Sequence, residues 1–539
     1  MLESLSSGLI SLAPYPSLLS YTAVAGFLFL TYAYFVHPFF LSELRAIPPA
    51  HPFALTPLWI IYHRYSRLLF SPTAISLRSQ ALRPIHRAHT KHGPIIRLSP
   101  TEISVAGYEA VYRVYVEKGG FAKPDWWATE FMTFGVRNLV SFVGGPGNRE
   151  HAGRRRDLGG VYAKGFLVNS GTLKDIARVV LERTVRVLES VVDGGDKHGK
   201  VEGTGTGTGK GMMDVYTFNG AVNADFASAY LFGTAQSTDF TCEKKARDEY
   251  FRHHNAFLNG DQDKSQKWLE NLALEKCSHL DVATGLKHAT DARVEGAEDA
   301  VVYKQLIQRG VHNAHLASEL LDHLIAGAEA PRTTLTYLQW ELSKNPGLQS
   351  RLRAEAQTLI PPSSPSLSAD DLRIPDLKAL DALPLLSALL TETLRVYTPT
   401  PGPQHRVVPP EGTALGGHFV PGGTEVSACF GVLHMNPDVF PEPEAWKPER
   451  WLGGGVPEGG DGGTEGGTEE MRRWFWAFNK GARGCVGKDF TVIVMKLIVA
   501  TMYARYETSV VEDDGMEPSD GFLAHPVGEK LVLKFTRVG

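Results

Sequence analysis

Cys485 stands in the stretch Phe-Asn-Lys-Gly-Ala-Arg-Gly-Cys-Val-Gly, residues 478–487, and is one of four cysteines in 539 residues. Cys242, Cys277 and Cys429 are far from it in sequence, with no CxxC pair and no Cys/His zinc spacing. A disulfide framework is therefore not expected, and the thiols read as reduced. A buried structural thiol would explain a lone cysteine but not this neighbourhood. Gly481 and Gly487 permit close backbone approach to a bulky group, and either can take a positive φ. Phe478 offers an apolar shield and Arg483 a cation. Apolar periodicity from Asp489 onward predicts a helix, which puts Cys485 at or just before its N-terminus. Free N–H groups and the helix dipole there favour a thiolate. Together these features suit a thiolate facing a flat, metal-bearing anion.

Three further stretches carry chemistry. Glu392-Thr-Leu-Arg395 puts a carboxylate and a guanidinium on one helix face. Trp446-Lys-Pro-Glu-Arg450-Trp451 follows, and Ala326-Gly327-Ala328-Glu329 precedes Ala330 and Pro331. Phe478-x-x-Gly481-x-Arg483-x-Cys485-x-Gly487 resembles the haem-binding loop of the cytochrome P450 family. The other three stretches are similar to that family's ExxR, PERW and oxygen-groove motifs, in the family's order. The resemblance implies haem b with an axial thiolate from Cys485. It also implies a buried network of Glu392, Arg395 and Arg450 that braces the loop. His151 and Arg155 match the helix that crosses the haem propionates, and Arg406 matches a β-region arginine that pairs with one of them. Gly327, Glu329 and Ala330 fall beside the oxygen site, where Ala330 replaces the family's usual threonine. Pro331 has no N–H for the Gly327 carbonyl, so a kink is expected there, with that carbonyl freed towards the groove.

Covering nearly the whole chain, the resemblance implies a haem-thiolate monooxygenase, similar to fungal secondary-metabolism enzymes. Such an enzyme would hydroxylate a lipophilic small molecule with O2 and electrons from an NADPH-cytochrome reductase. A haem-thiolate isomerase or dehydratase needing no external electrons, and a non-catalytic haem sensor, are the alternatives. Trp126, Trp127, Phe131 and Phe134 fall where the family has its variable lid, and residues 398–404 and 522–525 where it has substrate-facing turns.

The elements that must position these groups are legible as patterns. No Asp, Glu, Lys or Arg occurs between Glu3 and Glu43, and residues 21–41 are apolar enough for a membrane helix. About 20 residues span the roughly 30 Å hydrocarbon layer. With no basic segment ahead of it, this run reads as a retained anchor rather than a cleaved signal. Arg45 and later basic residues favour a cytosolic C-terminal side, hence a single-pass protein of the endoplasmic reticulum membrane. The expected organisation is an anchor over residues 1–45 and a catalytic domain over 46–539. Periodicity predicts helices over 215–232, 314–328, 333–343, 376–397 and 489–506, and strands near 95–106, 405–427 and 529–536. The fold class is mainly α with a small β region, the P450 fold behind a transmembrane helix. Glycine-rich stretches at 193–211 and 453–467, and the stretch 361–368, read as surface loops. A composition 43% apolar and 21% charged is globular. A net charge of −4 argues against a nucleic-acid partner.

Overall fold

The computed structural model describes residues 16–63, 82–145, 149–194, 210–258, 263–283, 299–360, 372–453 and 467–538. The three loop-like stretches lie largely outside the described residues. Helices dominate, and three small sheets accompany them.

The central helix, Asn313–Ser343, buries Leu316, Leu320, Leu324, Leu335, Leu338 and Leu342 at three- and four-residue spacing along its length. It packs against Val215–Phe232, a helix buried over nearly its whole circumference. That second helix is capped by Asp214, whose carboxylate accepts from Tyr216 N–H (3.1 Å) and Thr217 Oγ1 (2.6 Å). The loop beyond its C-terminus is gathered by a fully buried Asp225, which accepts from Thr238, Phe240 and Thr241.

Two helix expectations change. Residues 314–328 and 333–343 belong to one helix that continues through Pro331 to Ser343. Packing on both sides outweighs the bond that proline removes, and Thr334 Oγ1 donates to the Ala330 carbonyl at 3.0 Å within the same turn. Conversely, 376–397 divides into Leu377–Asp381 and Pro384–Val396. Leu383 is extended, as a residue before proline tends to be, and Pro384 opens the next helix at a position that needs no N–H.

The main sheet orders its strands Ile95–Ser99, Glu102–Val105, Glu425–Cys429 and Pro403–Val407. Gly93, at φ +99°, ends the preceding helix Leu82–His92. Pairing of Arg406 with Val426 across the last two strands puts Arg406 inside the body of the protein, where it is buried.

Among the described residues one helix is long and apolar enough to cross a membrane, Ser20–Leu41. Its end does not hang free. Pro38 is buried, and its carbonyl accepts from the fully buried Arg97 (3.2 Å). Leu44 and Ile47 pack into the cluster under the main sheet.

Candidate active site

The cysteine loop is held by its own backbone. Cys485 N–H donates to the Phe478 carbonyl (2.8 Å) and Gly484 N–H to the Gly481 carbonyl (3.1 Å). Gly481 takes φ +68° and lies against the Tyr115 carbonyl, so a side chain there would be strained. Gly487 does not take the left-handed conformation; its φ is −86°, and it stands before the helix Lys488–Tyr503. Cys485 is exposed and lines a cavity of about 530 Å³, the size of a small-molecule site. Burial pushes the thiol up, while the Gly487 N–H, Arg155 and Lys488 pull it down.

Around that cavity lie cations without anions. Lys123, Arg155, Arg406 and Arg483 all line it, and none forms an ion pair with a carboxylate among the described residues. Arg483 donates to the carbonyls of Phe142 and Val143 (both 2.9 Å), and Arg155 to that of Gly484. Arg406 reaches the His405 carbonyl (2.7 Å) and lies over the Tyr115 ring. Lys123 donates to the Val140 carbonyl (2.6 Å). Burial depresses all four, and mutual repulsion depresses Lys123 further through Arg406 and Arg483. Arg483 falls to about 10. His151 falls to about 3, through burial and then these same cations, so its imidazole is neutral. Four cations facing one cavity, Lys123 and Arg406 buried and Arg155 and Arg483 partly so, call for a polyanion. Two carboxylates on a flat apolar body bearing a thiolate-seeking metal meet that requirement, and haem has this composition.

Behind the loop, Glu392 is fully buried and collects donors. Arg395 gives it Nε (2.9 Å) and Nη2 (2.7 Å), Arg450 Nε (3.0 Å), Lys447 its N–H (2.9 Å) and Trp451 Nε1 (2.7 Å). Arg395 also reaches the carbonyls of His434, Pro443 and Ala445. His434 ties this hub to the cysteine loop. Its Nε2 accepts from Trp476 N–H (2.8 Å), and its Nδ1 lies 2.7 Å from Thr398 Oγ1. Burial, then Arg395, pushes it down to about 3, so it stays neutral.

On the central helix, Gly327, Glu329 and Ala330 border the cavity. A Cβ at Gly327 would meet the Ala227 Cβ at 2.8 Å, so glycine lets the two long helices touch. Glu329 is not a free acid: Arg332 Nη2 lies 2.6 Å from its Oε2, and His254 Nδ1 3.8 Å away. Burial pushes its carboxyl up, but Arg332 and His254 outweigh burial and hold it below the usual range. Thr334, one turn beyond Ala330, also lines the cavity.

The rest of the wall is apolar. Trp127 stacks on Phe131 (4.7 Å) and meets Phe522 edge-on (5.6 Å), and Pro399, Thr400, Gln404 and Leu523 complete this end. Trp126 does not face the cavity; its Nε1 donates to Glu425 (3.2 Å) and its ring rests on His405. Phe134 packs instead against the helical core. The motifs do not flag Lys123 or His434. A lysine followed by proline among apolar residues, and a lone histidine after Val-Leu, were the only signals.

Comparison with known proteins agrees with this geometry. The family model described as Cytochrome P450 matches residues 248–533, more than half of the chain. The chain is 28% identical over 423 residues to the cytochrome P450 monooxygenase avaI of Aspergillus versicolor, covering 75% of this chain and 93% of that protein. It is 24% identical to ankB of Aspergillus thermomutatus, covering 90% and 87%, and 25% identical to stcB of Emericella nidulans, covering 82% and 80%. Both are also named cytochrome P450 monooxygenases. A cysteine loop opening onto a cation-lined cavity, a buried glutamate hub behind it and a matching family model lead to one conclusion: this chain belongs to the cytochrome P450 family.

Proposed function

We propose that this P450 oxidises, by hydroxylation, a lipophilic small molecule in fungal secondary metabolism, drawing electrons from an NADPH-cytochrome reductase at the endoplasmic reticulum membrane. The observation that carries the reading is the cavity: the Cys485 loop and apolar residues line it together, with cations close enough to repel one another. When bound, the haem supplies oxygen activation through its thiolate-ligated iron. Everything else is the work of the chain's own residues. Cys485 would provide the sulfur that holds the haem, and the Gly487 N–H bonded to that sulfur would tune its basicity. Lys123, Arg155, Arg406 and Arg483 would hold the two propionates, with neutral His151 beside them. Trp127, Phe131 and Phe522 exclude water and hold the apolar substrate.

Proton delivery falls to Glu329. Its carboxylate borders the main cavity and also a second one of about 20 Å³, lined by Asn255, Arg332, His525 and Glu529. That volume has room for about one water. A proton arriving there would reach Glu329, which borders both cavities and would pass it to the groove. No alcohol at position 330 intervenes, so the last transfer runs through a water or a substrate hydroxyl.

Arg472, Arg473, Lys480 and Lys488 form a basic patch on the cysteine-loop side, suited to an acidic reductase. Lys480 Nζ is steadied by the carbonyls of Arg472 and Arg473. The apolar helix Ser20–Leu41 supports membrane anchoring. The deciding experiment reconstitutes the full chain with a fungal reductase and screens lipophilic compounds for substrate-dependent NADPH consumption with matching product. Turnover that needs no NADPH, or a haem protein inert to every reductase, would overturn the reading.

A further inference from the structure

The cavity holds an acid that the mechanism above does not use. Asp322 lies on the central helix one turn before Ala326 and two before Ala330, so the three share a face, and all three line the cavity. Its surroundings are mixed: Glu319 and His323 bring ligand atoms within 4.8 Å of its carboxylate, and Ile325, Leu231, Phe257 and Phe131 line the same cavity. Neighbouring acids are already satisfied. Glu319 is paired with Arg154 (2.6 Å) and accepts the Leu139 N–H (3.1 Å), and Glu329 is paired with Arg332. Glu130, half-buried in the same wall, has a partner of its own. Asp322 alone among these makes no hydrogen bond or ion pair with any described residue. His323, then Lys123, pull it down, yet neither comes within ion-pair distance.

No described residue hydrogen-bonds this carboxyl, though His323, whose Nε2 has no hydrogen-bond partner among the described residues, brings a ring nitrogen within 4.8 Å, so it is open to what enters the cavity. Burial, with Glu319 adding and His323 and Lys123 opposing, pushes it up to about 7, so it accepts a charge readily once a counter-charge arrives. We propose that Asp322 is the polar anchor of the substrate site and selects a substrate that carries a protonated nitrogen on a largely apolar framework. A hydroxyl would satisfy one lone pair and leave the charge uncompensated. An ammonium satisfies both, and the apolar wall keeps water from competing. This rests on the reading of the cavity as a substrate site.

The test uses the full-length holoenzyme at pH 8 and two matched probes. 1-(3-phenylpropyl)piperidine is a tertiary amine, and (3-phenylpropyl)cyclohexane is its uncharged carbon counterpart. Equilibrium dialysis gives both dissociation constants, and the haem absorption spectrum shows whether the nitrogen has ligated iron. The wild type is expected to bind the amine at least tenfold more tightly. Asp322→Asn brings the pair within about threefold with the hydrocarbon's affinity unchanged, Asp322→Glu keeps most of the preference, and Glu130→Gln leaves it intact. Equal binding of the two probes by the wild type overturns the proposal whatever the variants do. So does a preference that survives Asp322→Asn, since iron or another acid then holds the amine. A protein that passes this test yet never consumes NADPH with a reductase would sink the monooxygenase reading and leave the anchor standing.

Discussion

Arg395→Ala attacks the hub behind the cysteine loop, and its cost can be worked from the contacts. The substitution removes two of the five donors to Glu392, leaving Arg450 Nε, Lys447 N–H and Trp451 Nε1. It also strips a partner from three carbonyls, that of His434 buried and those of Pro443 and Ala445 partly buried. Breaking a buried ion pair from one side costs about 3–5 kcal/mol. Arg450→Ala should cost less, about 1–3 kcal/mol, because its guanidinium gives Glu392 one bond and its side chain is 10% exposed. Trp451→Phe keeps the ring and deletes one N–H, for about 1–2 kcal/mol. Against a total stability of about 5–15 kcal/mol, the first change should prevent haem retention, and the other two should lower it in that order. Haem per polypeptide and the thermal midpoint of the same preparations give the ranking. Wild-type haem content and midpoint in Arg395→Ala, or the reverse ranking, would refute the hub.

Cys485→Ser should abolish the reduced carbon-monoxide band that reports thiolate ligation, whereas Cys429→Ser, buried away from the cavity, should keep it. Glu329→Gln should lower the proton-dependent rate by about 10²–10⁴ and raise hydrogen peroxide release; unchanged coupling of product to NADPH would remove Glu329 from the relay. His434 titrates near 3 in the fold and near 6.5 when unfolded, so the unfolded chain gains a proton first as pH falls. Stability should therefore drop between pH 6.5 and 3, by up to about 5 kcal/mol, and His434→Gln should flatten that slope in urea titrations. Deleting residues 2–36 should leave a haem-binding protein that no longer sediments with membranes. Deleting 2–44 should lower its thermal midpoint by several degrees, because Pro38 and Leu44 go with it; equal midpoints would show that those contacts carry no stability.

What the sequence made legible was whatever is local. The cysteine loop, the Glu392/Arg395 pair and the helix 215–232 each depend on neighbours within a few positions, and each stands where spacing put it. The break at Pro384 was equally local, but the apolar period ran across it and masked the extended Leu383. Pro331 misled in the opposite sense: its local rule was right about the missing N–H, and packing along the central helix overrode the expected interruption. The cation cluster draws on Lys123, Arg155, Arg406 and Arg483 from four separate segments, so only tertiary structure could assemble it. Glu329 is a different case: Arg332 stands three residues on, the same spacing that exposes the Glu392/Arg395 pair, and the groove motif masked it.

The bond between the Pro38 carbonyl and Arg97 bears on how substrate arrives. Arg97 belongs to the edge strand Ile95–Ser99, and the strand at the opposite edge of the same sheet, Pro403–Val407, brings Arg406 to the cavity. The apolar helix is therefore moored to the same sheet that forms part of the cavity's wall, with no slack linker between them. With residues 20–41 in a bilayer, such a mooring would restrict how far the catalytic body can roll over the lipid surface. It would hold the aromatic end of the cavity at a set height and tilt, so a compound dissolved in the membrane would meet the same doorway at every encounter. Supply of substrate would then depend on partitioning into lipid more than on its concentration in water.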